Sequence, residues 1–378
     1  MKICYLSSIL NIHDYRFLSQ IVKRGYEVYL VAYIPKDRFL EIPKQIAGIE
    51  GLKVIHKRYN YFQKHPYLIP IMVSDFRRVI DEIKPDILHC GYVLRDGFLA
   101  ALSGFHPILL MPWGSDILIE PMKSILRRSI TKYAINRANF ITCDCEIVKR
   151  KIIELSNYDE KKILVFPWGV ELDLFKPDSN KAENIRNALG WKDNKIIIMN
   201  RNFEHVYGCK YLLQALPKII REEPGSRIIM IGQGSLEGGF RRFVKEKSLG
   251  EYVKFPGAIR NKEMPGYLNA ADIYVSTSLS DGTSISLLEG MACGLPVVVT
   301  EMPSNKEWVI NGKNGFLVPM KDHEGISNSI LTLLRDDNLR LRMGMMNRRI
   351  VEDRANWSGN VDKLENIYKI LASNSGRA

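Results

Sequence analysis

The sequence predicts an α/β protein made of two doubly wound, Rossmann-like domains, and two observations predict it. Short strand-length apolar runs alternate with helical stretches almost throughout. Strands alternating with helices imply a parallel sheet covered on both faces. The length of 378 residues exceeds what a single core usually holds.

In chain order, KICYLSS reads as a first strand, followed by a helix near 13–24, the strand EVYLVAY, a strand near 52–56 and a helix near 68–83. DILHC, a helix near 96–104, PILLMPW, a helix near 121–137 and FITC continue the pattern. The alternation pauses at ILVFPWGVELDLFKPD, residues 163–178, where prolines and aromatics interrupt any periodicity. It restarts with KIIIMNR, a helix near 208–222, RIIMIGQG, a helix near 237–247, YVKFPG, a helix near 261–269 and DIYVSTS. A further strand and at least two helices close the chain. The domains are therefore expected at 1–170 and 171–356, with a hinge near 167–177. Ligands of such sheets sit beyond the carboxyl ends of the strands, so two facing domains are expected to share one cleft.

Composition narrows the function. A net charge of +12 invites a nucleic-acid or anionic-membrane partner. The excess is about +6 in each half and there is no basic tail, which favours anionic small ligands or a membrane surface over nucleic acid. Only Cys143 and Cys145 of the six cysteines are close in sequence, and no second pair completes a zinc site. Reduced, packed cysteines and a cytoplasmic location are expected. The opening MKICYLSSIL lacks a small-residue cleavage pattern and reads as a strand, not a leader. No apolar run reaches the roughly 18 residues a spanning helix needs.

The chemistry concentrates in SDGTSISLLEGMACGLPVVVT, residues 280–300. It follows a buried-looking strand, so its loop lies at a carboxyl end and its helix starts near Ser284 to Ser286. A helix N-terminus presents free N–H groups and a positive dipole end, which suit an anion. Glu289 lies about five residues into the helix, roughly 7 Å along the axis at 1.5 Å per residue. That is about the reach from a diphosphate to its own ribose, and a carboxylate accepts both hydroxyls of a diol. A plainer account competes: Ser286-Leu-Leu-Glu289 fits a capping box and Asp281-Gly282 an ordinary turn.

DGTSISLLEGMACGLPVVVT resembles the E-x7-E segment of the retaining family-4 glycosyltransferases of the GT-B fold (glycosyl transferases group 1), with Asp281 where the first Glu usually stands. The resemblance spans most of the chain. FPWGVELDLFKP resembles that family's interdomain segment, with Trp168 where asparagine is usual. RNFEHVYGCKYLLQAL resembles its Arg-plus-Lys diphosphate element, and PWGSDIL its HGSD-like loop. NKEMPGYLNAADIYVSTS and NGKNGFLVP match its C-domain framework. The resemblance implies an acceptor-binding N-domain, completed by residues 357–378 of a returning C-terminal helix, and a donor-binding C-domain. It implies transfer of a sugar from a nucleotide-diphosphate sugar with retention, no divalent metal and no other cofactor.

Residue by residue, the resemblance assigns Asp281 and Arg201 to catalysis. Gly282, Thr283, Ser284 and Ile285 hold sugar and phosphate through their amides, and Glu289 holds the ribose. Lys210 is the candidate second phosphate clamp, since Tyr207-Gly208 stands where a Lys-Gly pair is usual. On the acceptor side stand His13, Asp14, His89, Asp116 and Trp113, the last in place of a common histidine. The acceptor is expected to be a glycan, a lipid-linked molecule or a small molecule, in an envelope or polysaccharide pathway. The basic stretch with Lys123, Arg127, Arg128 and Lys132 suggests peripheral contact with anionic lipid. Two rival functions are a nucleotide-sugar epimerase on the same scaffold and a non-catalytic partner subunit, which the departures at Asp281, Tyr207 and Trp113 make thinkable. A phosphorylase would usually need a longer chain and a pyridoxal-phosphate lysine. GQGSLEGG lacks the dinucleotide spacing, and Glu171-Leu-Asp173 lies within the interdomain segment, so neither adds a cofactor or a metal site.

Overall fold

Strands rich in Ile, Val and Leu that are buried along their length require cover on both faces, and the fold supplies it twice. The computed structural model describes residues 1–35, 42–59 and 66–374. The chain divides into two units, Met1–Phe166 with Val361–Ala378, and Pro167–Asn360.

The first unit holds strands β1 (Lys2–Leu6), β2 (Glu27–Pro35), β3 (Lys53–Tyr59), β4 (Ile87–Cys90), β5 (Ile108–Leu110), β6 (Phe140–Cys143) and β7 (Ile163–Val165). They pair in parallel in the order β3-β2-β1-β4-β5-β6-β7. The second unit holds β8 (Lys195–Asn200), β9 (Ser226–Ile231), β10 (Val253–Gly257), β11 (Ile273–Ser276), β12 (Val297–Thr300) and β13 (Gly315–Val318), in the order β10-β9-β8-β11-β12-β13. These two parallel sheets are the expected doubly wound pair. In each, the winding reverses once, between β1 and β4 and between β8 and β11, and such switch points open a crevice at the carboxyl edge.

The structure corrects several boundaries. The pause expected from residue 163 begins instead with β7, and helices Glu146–Ser156 and Ser179–Leu189 flank the segment. Three helices close the chain, His323–Arg335, Asp337–Arg354 and Trp357–Asn374. The segment PWGV, residues 167–170, is tied within the second unit. The Val170 N–H donates to the Ala355 carbonyl (2.7 Å) and the Trp357 N–H donates back to Val170 (3.0 Å). Gly169 has φ +76°, and a Cβ there would lie 2.5 Å from the Ala355 oxygen, so only glycine fits.

The later turns of Trp357–Asn374 pack on the first unit. Tyr368 and His89 are both buried, with the phenol oxygen 2.6 Å from His89 Nδ1. Arg24 pairs with Glu365 (2.6 Å) and Asp362 (2.5 Å), and Tyr26 donates to Glu365 (3.1 Å). All six cysteines are buried free thiols.

Candidate functional site

At the switch point of the second sheet, β8 ends at Asn200 and delivers Arg201, while β11 ends at Ser276 and leads into the loop carrying Asp281. Arg201 joins that loop to the helix Ile285–Ala292. Its guanidinium pairs with the Asp281 carboxylate and donates to Ser284 Oγ (2.8 Å) and Ser286 Oγ (2.9 Å). The Tyr274 phenol donates to Ser286 Oγ (3.0 Å). The face of the guanidinium is covered by the Tyr207 ring, 4.2 Å from its centroid, a cation–π contact. Burial works to lower the pKa of Arg201; the Asp281 carboxylate, with Tyr274 and Tyr207, outweighs it and holds the guanidinium above its ordinary value.

The loop is anchored from both sides. Thr277 Oγ1 donates to the Gly208 carbonyl (2.9 Å) and the Leu279 N–H to Val206 (2.8 Å). Ser304 Oγ holds the Asp281 carbonyl (3.1 Å). Gly208 has φ +59°, and a Cβ there would lie 2.2 Å from the Thr277 oxygen. The tight approach needs glycine at that point. Gly282, Thr283 and Ser284 are buried, and Ile285 begins the helix.

The helix cap decides between the two accounts of Glu289. Ser284, not Ser286, is the N-cap, its Oγ accepting from the Leu287 N–H (3.3 Å). Glu289 is therefore beyond capping reach, half-buried in the second turn, and the capping-box expectation is overturned. Burial pushes the Tyr274 phenol up to about 12, with Glu289 and Asp281 adding to that against Arg201. Both acids thus act on one buried group beside Arg201. Lys210 is exposed at the start of the helix Lys210–Glu222, over the Tyr211 ring at 5.0 Å. It lines a groove with Gln214, Ser235 and Phe243, and Tyr207, not Lys210, is the neighbour found on Arg201.

The first unit gathers its candidates at its own switch point. Asp14 is fully buried and caps its helix, accepting from the Asn11 N–H (2.9 Å) and the Tyr5 hydroxyl (3.1 Å). His89 is fully buried against Tyr368. Asp116 is buried too, accepting from the N–H groups of Trp113 and Val93, both at 2.9 Å. Burial pushes Asp14 up to about 6 and Asp116 up to about 7, and lowers His13 to about 3. Asp14 and Asp116 thus spend their carboxylates on backbone and Tyr5, while His89 is held at Nδ1 and its Nε2 is buried without a partner. Trp113 and His13 are half-buried, with their Nε1 and Nδ1 atoms inside and ring centroids 5.5 Å apart, and the Trp113 indole lies against Gly91, where a Cβ would meet Nε1 at 2.3 Å.

Sequence reasoning missed the π-helical turn Val93–Gly97 after β4. It carries Arg95 and Asp96, both buried. Asp96 accepts from the Ser8 N–H (3.2 Å) across the switch point. Among the described residues no cluster of His, Cys, Asp and Glu has the arrangement of a metal site.

The comparisons with known proteins fit this geometry. Residues 181–350 match the family model described as glycosyl transferases group 1, and residues 2–145 match a glycosyl transferase 4-like model. The chain is 27% identical over 356 residues to the GDP-mannose-dependent alpha-(1-6)-phosphatidylinositol monomannoside mannosyltransferase of Mycolicibacterium smegmatis, covering 90% of this chain and 89% of that one. It is 24% identical over 355 residues to the N-acetyl-alpha-D-glucosaminyl L-malate synthase of Bacillus anthracis, covering 92% and 90%. In fold it is similar to HepE of Anabaena, solved in complex with UDP, with a TM-score of 0.81 at 19% identity over 98% of this chain and 100% of that one. Sucrose-phosphate synthase of Thermosynechococcus elongatus gives a TM-score of 0.80 at 19% identity over 99% and 100%.

Proposed function

The chain belongs to the group 1 glycosyltransferases of the GT-B fold, and on that premise we propose that it moves a sugar from a nucleoside-diphosphate sugar to an acceptor with retention and without a divalent cation. The observation that carries this is Arg201, set at a switch point against the N-terminus of the helix Ile285–Ala292 and already paired with an anion, Asp281. A guanidinium and free helix N–H groups supply the positive charge that a departing diphosphate needs. The incoming diphosphate replaces Asp281 on Arg201, which releases the carboxylate to face the donor sugar and stabilise its oxocarbenium-like state. The acceptor attacks from the face the leaving group vacates, and a phosphate oxygen takes its proton. Tyr207, where a Lys-Gly pair is usual, holds the guanidinium's orientation by stacking on it. An epimerase finds no support among the relatives above.

Thermal unfolding against UDP, GDP, ADP and CMP, each with and without EDTA, tests the donor site. A ligand at 100 times its dissociation constant adds about 2.7 kcal/mol, a rise of several degrees. One diphosphate is expected to raise the midpoint equally with and without EDTA. A shift that EDTA abolishes would refute metal independence, and no shift with any nucleotide would favour a non-catalytic subunit.

We also propose that the first unit touches an anionic membrane surface at the cytoplasmic face. No helix among the described residues is long and apolar enough to cross a membrane. However, Ile125 and Leu126 are 87% and 70% exposed at the start of the helix Ile125–Arg137, beside exposed Lys123, Arg128 and Lys132. Glu120 pairs with Lys123 and Arg127, leaving Arg128 and Lys132 to lipid headgroups at about 1 kcal/mol each. The chain should sediment with vesicles containing phosphatidylglycerol and not with neutral ones, and Ile125→Asp with Leu126→Asp should release it. Unchanged sedimentation of that double variant would refute the contact.

A further inference from the structure

We infer that Arg95 is an anion-recognition residue of the acceptor site, so that the acceptor carries a phosphate or carboxylate group. The inference rests on the first unit being the acceptor side.

Arg95 is 8% exposed, yet among the described residues its guanidinium makes no hydrogen bond or ion pair, and its Nε is buried without a partner. The Tyr92 ring lies 4.9 Å from centroid to guanidinium carbon, and the charge of Arg95 acts on the adjacent Asp96 carboxylate without a hydrogen bond between them. Arg340, equally buried, shows how this fold treats a structural arginine: it donates to the Leu333 and Leu334 carbonyls and pairs with Asp337. Arg201, the proposed diphosphate clamp, also has a buried Nε without a partner, but its terminal nitrogens are held by a carboxylate and two hydroxyls. A buried charge without a partner is costly, and an unsatisfied buried donor in a native fold calls for an explanation. A ligand anion is one that a guanidinium is built to accept, in bidentate form.

Position supports the same conclusion. Arg95 sits on the π-helical turn that follows β4, a geometry found often at functional sites. The β1–β4 switch point lies there, where ligands of open parallel sheets bind. The turn is fixed by Asp116, which accepts from the Val93 N–H and, with its other oxygen, from the Trp113 N–H. It is fixed again by Asp96, which accepts from the Ser8 N–H. The hydrogen bonds of these carboxylates thus go to backbone N–H groups, and none of them goes to the Arg95 guanidinium. The Trp113 indole against Gly91 adds an apolar surface of the kind on which a sugar or polyol ring stacks.

The test uses the full chain in an Arg201→Ala background, so that the other anion site is weakened and the remaining difference is read from Arg95. Calorimetry measures binding of inorganic phosphate, glucose 6-phosphate, glucuronate and glucose, and sedimentation measures binding to phosphatidylinositol vesicles. At least one anionic probe is expected to bind tenfold or more tightly than glucose. Adding Arg95→Gln should erase that preference, and Arg95→Lys should restore part of it. The unliganded Arg95→Gln chain should unfold at the same temperature or higher, because an unpaired buried charge is gone. A soluble phosphate ester, the carboxylate or the vesicle as preferred probe would identify the source of the anion. If Arg95→Gln lowers the unfolding midpoint and leaves anion affinity unchanged, or if glucose binds as well as every anion, the inference is wrong. Failure of the donor reading is separable: it is read from nucleotide shifts of the chain with Arg201 intact, which Arg95→Gln should leave unaltered.

Discussion

Arg201→Ala is expected to lower the transfer rate by roughly 10²–10³-fold, the effect of removing one donor aimed at developing charge. The loss has two sources. The departing diphosphate loses its guanidinium, and Asp281 loses the partner that holds its loop. Arg201→Lys should recover little, because a point charge cannot serve a carboxylate and two hydroxyls from one flat fork and stacks less well on Tyr207. Asp281→Asn should behave differently. If the diphosphate must displace Asp281 from Arg201, removing the carboxylate's charge removes a competing anion. That variant should bind the nucleoside diphosphate more tightly than the wild type while transferring sugar more slowly. Steady-state rates and nucleotide titrations on the three variants decide the matter. Equal weakening of nucleotide binding by Asp281→Asn and Arg201→Ala would show that the pair acts as one rigid cradle and that no exchange occurs.

Much of the fold was legible because parallel strands buried on both faces read as unbroken apolar runs. KIIIMN, SRIIMI and VVVT are such runs, and each is a strand. The helix Ser179–Leu189 escapes notice for a matching reason: its apolar stripe is short, Ala182, Ile185 and Leu189, and none of its residues is fully buried. β7, three residues long, lies next to the prolines and aromatics that were taken for the whole segment. At the site, the acid-bearing loop and its helix were readable, since Gly282 and the small polar residues advertise a turn at a strand end. What the sequence could not show was pairing between distant segments. Tyr207 stood out as an absent lysine, and only the fold reveals it as the surface on which Arg201 lies. His89 and Asp14 follow strands like functional groups, and the fold adds that Tyr368 holds one ring nitrogen of His89 while Asp14 accepts from the Asn11 N–H. Arg95 was hidden in what looked like the beginning of an ordinary helix, because a π-helical turn has no composition of its own.

Glu289→Ala is expected to weaken nucleoside diphosphate binding by about 10- to 100-fold, and the reason can be isolated. A hydrogen bond to a charged group contributes roughly 1.5–3 kcal/mol, and about 1.4 kcal/mol is a factor of ten in affinity. Alanine is the better helix former, and the cap is made by Ser284, so the substitution leaves the helix and its N-terminus in place. A 2′-deoxynucleoside diphosphate completes the cycle. In the wild type it should bind more weakly than the ribonucleotide, since one hydroxyl donor is missing. In Glu289→Ala the two nucleotides should bind alike, because the acceptor they would have distinguished is gone. A carboxylate that merely shapes the pocket gives another pattern: both nucleotides lose affinity equally, and the preference for the 2′-hydroxyl survives. Glu289→Gln sharpens the comparison, because its amide keeps one acceptor oxygen without the charge and should fall between the two. Convergence of ribo- and deoxynucleotide affinities in Glu289→Ala would locate the ribose on the second turn of this helix, one step along from the diphosphate at its N-terminus, and so orient the whole donor in the second unit.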